Sequence, residues 1–156
     1  MDEFVVYEED QEAMDRELRW FLENSGTKCV LLVHKSGQLI TKQGFTHHLA
    51  TDELAVLAAG AYAATKQIAM LLGETEFSVL FHQGEREHIN FSLLDERTIL
   101  LAIFDDRTSV GMVRLAAGQV AGRLRPVLER IATRRVADER AVRATPTGDL
   151  FAPEQS

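Results

Sequence analysis

A single cysteine, Cys29, rules out an internal disulfide and any cysteine-rich zinc site. An excess of positive charge is missing as well. The 17 basic side chains face 24 acidic ones, which leaves a formal net charge of −7. General nucleic-acid binding needs a basic footprint that releases counterions from phosphates, so that class is excluded. No apolar run approaches the roughly 20 residues of a membrane span, and no membrane insertion is expected. The start, Met1-Asp-Glu-Phe4, is acidic where a signal peptide is positive, so the expected location is the cytoplasm. Neither a Gly-x-x-x-x-Gly-Lys phosphate loop nor a Gly-x-Gly-x-x-Gly turn occurs, and Gly-x-Ser-x-Gly is also missing. Proline is scarce, with three in the whole chain: Pro126, Pro146 and Pro153.

What the chain does have is apolar content. A 46% hydrophobic composition over 156 residues supports one compact domain with a real core. The charge is unevenly spread. Residues 2–23 hold nine acids against Arg16 and Arg19, which accounts for the entire net charge. From Arg114 onward the chain is basic, by eight to five.

Met14, Leu18, Phe21 and Leu22 recur at helical spacing and Gly26 suits a left-handed cap, so the first element is a helix. Cys29–Val33 reads as a buried strand, His34–Gln38 as a turn, and Leu39–Lys42 as the returning strand. A helix capped by Thr51 should run to Leu72 and stop at Gly73. Phe77–His82, His88–Leu94 and Thr98–Phe104 are three further strands. In the second of these Ile89, Phe91 and Leu93 face one way, and His88, Asn90 and Ser92 the other. The last helix begins at Thr108 or Ser109 and buries Val113, Ala117, Val120, Leu124, Leu128 and Ile131, with a kink or break expected near Arg125 because Pro126 lacks a donor. The order predicts a single α/β sandwich over residues 1–136: a five-stranded antiparallel sheet with one helix on one face and two on the other. Residues 137–156 read as a flexible tail.

The chemically capable side chains do not assemble into a catalytic set. His47-His48 reads as a solvated loop pair, and His82 and His88 as sheet residues flanking one hairpin. Asp105-Asp106 reads as a turn with capping acids, and Cys29 as inert packing. No metal, cofactor or active site is expected. The informative feature is the middle helix. Placing Leu54, Leu57, Ala58, Ala61, Thr65, Ile68 and Leu72 on its core face leaves Val56, Ala59, Gly60, Ala63, Lys66, Gln67 and Met70 opposite. That second face is small or apolar with one charge, and it reads as a contact surface. The strand carrying Phe77, Val79, Leu80 and Phe81 falls at a sheet edge with no lysine or proline to protect it. Self-pairing there about a two-fold axis would make a homodimer.

Several stretches carry a resemblance. Cys29-Val-Leu-Leu-Val-His-Lys-Ser-Gly-Gln-Leu-Ile40, Leu54-Ala-Val-Leu-Ala-Ala-Gly-Ala-Tyr-Ala-Ala64 and Leu71-Leu-Gly-Glu74 come in order. Phe81-His-Gln-Gly84 and Ile103-Phe-Asp-Asp-Arg-Thr-Ser-Val-Gly-Met-Val-Arg-Leu115 follow. Together they resemble the roadblock/longin-like family, and within it the bacterial MglB group, over about residues 4–135. The resemblance implies a homodimer with a continuous sheet, whose two middle helices form a platform. It implies a partner: a small Ras-like GTPase of the MglA type in its GTP form, one per two subunits, in cell polarity and motility, with other polarity proteins as further contacts. The activity implied is GTPase activation by reshaping the partner's switch region, without an arginine finger from Arg86, Arg97 or Arg107. A non-catalytic scaffold docking the same partner is the alternative. The family's partner-binding helix maps onto Val56, Ala59, Gly60, Ala63, Lys66, Gln67 and Met70. Leu150 and Phe151, within Asp149-Leu-Phe-Ala152, match a tail contact used by some members, and a cell pole is the implied place of action.

Overall fold

The computed structural model describes residues 6–74 and 79–144. Helix α1 spans Glu8–Ser25, its first turn carrying Glu8, Glu9 and Asp10, where negative charge complements the helix dipole. Gly26 ends it at φ 73°, donating its N–H to the Leu22 carbonyl. Strand β1 (Cys29–His34) is buried at every position, and β2 (Leu39–Gly44) pairs with it antiparallel. At Gly44 (φ 93°) a Cβ would lie 2.5 Å from the Lys28 carbonyl oxygen, so the strand end closes on the neighbouring backbone only as glycine.

Helix α2 covers Thr51–Leu71, with Ala50 and not Thr51 at the N-cap. The Thr51 hydroxyl instead accepts a hydrogen bond from Lys42 Nζ at 3.0 Å. Strands β3 (Val79–Gln83), β4 (His88–Leu93) and β5 (Thr98–Phe104) follow as antiparallel neighbours. The sheet order is β2-β1-β5-β4-β3, so β5 and β1 are central and β3 is an edge. Phe77, expected in that edge strand, lies outside the described residues. Helix α3 is one element from Val110 to Ala144, with Ser109 Oγ accepting from the Met112 N–H at 3.1 Å. It runs through Pro126 without the break that was one of the two outcomes expected there, and its helical residues extend past the expected domain boundary at 136. Tertiary support explains the continuity through Pro126. Leu124, Val127, Leu128 and Ile131 are buried on either side of the proline, and three arginines of α3 are tied to α1.

One helix lies on one face of the sheet and two on the other, as the element order predicted. On the first face α2 places Ala55, Ala58, Ala59 and Tyr62 over Leu31, Val33, Phe91, Ile99 and Leu101. On the second, α1 and α3 place Met14, Leu18, Phe21, Val113, Val120 and Leu124 over Val30, Leu32, Leu100, Ala102 and Phe104. The acidic first helix and the arginine-rich last one meet there. Arg123 Nε reaches Glu17 at 2.5 Å, and Arg134 reaches both Glu9 and the buried Asp10. Arg130 Nε is 3.5 Å from the same Asp10 carboxylate, and Arg134 also lies over the Tyr7 ring.

Candidate functional site

The exposed side of α2 is the candidate site, and the structure redraws which residues form it. The sheet-facing stripe is alanine-rich: Ala55, Ala58 and Ala59 with Tyr62, and Ala69 further along. Alanines let the helix axis sit close to the strands, and the large residues turn outward. Leu57 is 63% exposed and Ile68 53%, against the expectation that they, with Leu72, belong to the core. The reason is that both sides of α2 are apolar, so a helical wheel filled the core with the bulkier side. Ala59 is the opposite correction. It is buried against the sheet and takes no part in the outer face.

Val56, Gly60, Ala63, Lys66, Gln67 and Met70 are all exposed. The apolar surface is wider than the sequence reading made it, because Leu57, Ile68, Leu71 and Leu72 join Val56 and Met70. The spacing Ala55-x-x-Ala58-Ala59-x-x-Tyr62 was the signal for the true core stripe. At Gly60 a Cβ would meet nothing within 4 Å, so no contact within the chain requires glycine there. By length and composition α2 is apolar enough to cross a membrane, contrary to the sequence expectation, because its many alanines add up. It packs its alanine stripe on the sheet, nearest β1 and β2, and leaves its outer side bare.

The edge strand adds a second feature. Among the described residues β3 pairs only with β4, so its outer backbone groups have no strand partner. Leu80 is half-buried on the α2 side, while Phe81 stacks on Phe104 at 6.1 Å on the other. Val79 opens the strand. Leu150 and Phe151 lie outside the described residues.

The remaining reactive groups are accounted for structurally. The paired carboxylates after β5 diverge: Asp105 binds Arg107, with its Oδ1 3.0 Å from Nε, and Asp106 Oδ1 lies 2.9 Å from His88 Nε2. Hydrogen bonds from Arg107 hold the Asp105 carboxyl down at about 2. His88 is buried on the α3 side, and His82 is exposed on the α2 side against Phe91, so the two histidines do not converge. His47 and His48 pack their rings on Phe45 in an exposed loop. Burial pushes the Cys29 thiol up to about 11, which makes it a poor nucleophile. Among the described residues no group of histidine, cysteine or carboxylate side chains could hold a metal ion.

An open five-stranded antiparallel sheet with one helix on one face and two on the other, presenting a bare apolar helix, defines a class. Residues 17–104 match the Roadblock/LC7 domain, and the chain belongs to that family. Within it the chain is similar to MglB. It is 36% identical to Myxococcus xanthus MglB, with a TM-score of 0.76 over 81% of this chain and 96% of that one. The gliding protein MglB of Thermus thermophilus is 28% identical, with a TM-score of 0.76 over 83% and 98%. An MglB structure described as having a tetrameric arrangement is 28% identical, with a TM-score of 0.78 over 84% and 98%. A search of curated proteins gives no match.

Proposed function

We propose that this chain is a homodimeric GTPase-activating protein for a small Ras-like GTPase of the MglA type, acting in cell polarity and motility. The reading is carried by the exposed apolar face of α2 on a fold 36% identical to an MglB. Two copies pair along the outer edge of β3, and their α2 helices form one platform. That platform takes one GTPase in its GTP form, in the cytoplasm and at a cell pole.

The chemistry stays in the partner. Phosphoryl transfer requires an in-line water and neutralisation of charge on the transferring phosphate. The platform orders the partner's switch segment so that the partner's own arginine and glutamine reach the nucleotide, and the gain comes from positioning. The chain is then a regulator with no active site of its own. Its Arg107 is already engaged by Asp105.

A non-catalytic scaffold is the second reading, favoured by the chemistry of the face, where Lys66 is the one charge among Val56, Gly60, Ala63, Gln67 and Met70. Single-turnover GTP hydrolysis by the cognate GTPase, with and without this protein, separates the two. Acceleration is expected, and unchanged hydrolysis despite binding would leave the scaffold. Ala63→Arg sets a long cation on the exposed platform and should abolish binding with folding intact. Retained affinity would refute the site.

A further inference from the structure

The far end of α3 holds a groove that the α2 platform does not use. Arg97 in the β4–β5 turn and Arg140 on α3 line a cavity of about 350 Å³ with Ala132, Thr133, Val136 and Ala137. Its wall is apolar, and Val136 is 40% exposed. Arg123, Arg130 and Arg134 on the same helix are tied to acids of α1. By contrast, no ion pair to Arg97 or Arg140 is found among the described residues. Of the two carboxylates that precede Arg97 in the turn, Asp95 accepts the Arg97 backbone N–H at 2.8 Å, and Glu96 forms no ion pair with Arg97 among the described residues. The groove is therefore an apolar slot flanked by two guanidiniums, and an acidic segment with large apolar side chains fits it.

The chain carries such a segment just beyond α3. Asp149-Leu-Phe-Ala-Pro-Glu154 sets two carboxylates around Leu150 and Phe151. We propose that this segment docks in the groove of its own chain. Leu150 and Phe151 then lie on Ala132, Val136 and Ala137, and Asp149 and Glu154 face Arg97 and Arg140. The reach is sufficient. From Ala144 back to Val136 is about 12 Å along a helix. The six residues 145–150 span up to about 20 Å when extended. Thr145-Pro-Thr-Gly148 supplies the composition of a chain reversal. The inference does not depend on the GTPase reading.

The test uses the full chain, isotope-labelled, with a nitroxide on Leu150→Cys in a Cys29→Ala background. The amides of Ala132, Val136 and Ala137 should lose most of their intensity, and recover in Arg97→Glu/Arg140→Glu or at high salt. Undiminished amides at these positions would overturn the proposal. So would broadening that appears only when label and isotope are on different molecules, which would assign the groove to a second copy. Equal broadening from a label on Glu3→Cys would also overturn it, by giving the groove to the other acidic end. The double charge reversal lies on the surface, and the salt series provides the same readout without any substitution in the groove.

Discussion

Leu57→Ala measures directly which side of α2 is core. Full burial of a leucine side chain contributes roughly 1.5–3 kcal/mol. Leu57 is 63% exposed, so only about a third of its surface is covered within its own chain. The truncation should therefore cost about 0.5–1 kcal/mol, or ~2–3 °C in melting temperature for a domain of this size. Were Leu57 a core residue, as its place on a helical wheel suggests, the loss would be roughly 2–5 kcal/mol, because a cavity would be left behind. Urea unfolding followed by circular dichroism resolves this difference. It should be run at several protein concentrations, since a subunit contact makes apparent stability concentration-dependent. A small loss at the lowest concentration is expected. A loss above about 2 kcal/mol that stays constant across concentrations would refute the outward orientation of Leu57, and with it the wide apolar face.

Three further outcomes follow. The Cys29 thiol, held at about 11 by burial, should resist disulfide exchange reagents at pH 8 unless the chain unfolds. The unfolded thiol ionises near its ordinary value of 9.0 while the folded one stays protonated, so stability should fall as pH rises from 9 towards 11, and Cys29→Ala should remove that slope. Binding of the GTPase to the platform should depend weakly on salt, since Lys66 is its lone formal charge among the exposed contact residues. A steep loss of affinity with salt would move the docking surface to the acidic α1.

Much of the fold was legible in the sequence. The five strands, the edge position of β3 and the alternation along β4 follow from local apolar patterns bounded by turns. The pairing of α1 with α3 was foreshadowed by segregation of acid and arginine, and the ion pairs of Asp10 and Glu17 realise it. The wheel position of α2 was marked only by the spacing Ala55-x-x-Ala58-Ala59-x-x-Tyr62, which the bulkier apolar residues of the other side outweighed. Periodicity locates a buried face only when the other face is polar, and α2 is apolar on both. The continuity of α3 was hidden for a different reason. Pro126 breaks a helix in isolation, but burial of Leu124, Val127 and Leu128 holds the turns on either side. Polar composition beyond Ala137 read as tail, though helical residues continue to Ala144.

The two faces of the sheet explain why the apolar surface sits where it does. Five strands at about 4.8 Å spacing make a sheet ~19 Å across, and a helix with its side chains is ~10 Å wide. On one face α1 and α3 together span that width, and their charges close over it as ion pairs. On the other face α2 stands alone, nearest β1 and β2. Leu80, Ile89 and Leu93 on the β3–β4 side are only partly buried, and His82 beside them is exposed. One helix is too narrow for that face, and its own outer side is as apolar as its inner one. Nothing in the stability of a lone chain selects Val56, Leu57, Ile68 and Met70 for positions more than half exposed to water. Their selection follows if the half-covered face and the bare helix are completed together, by a second sheet joined at β3 and by a partner laid across the helices.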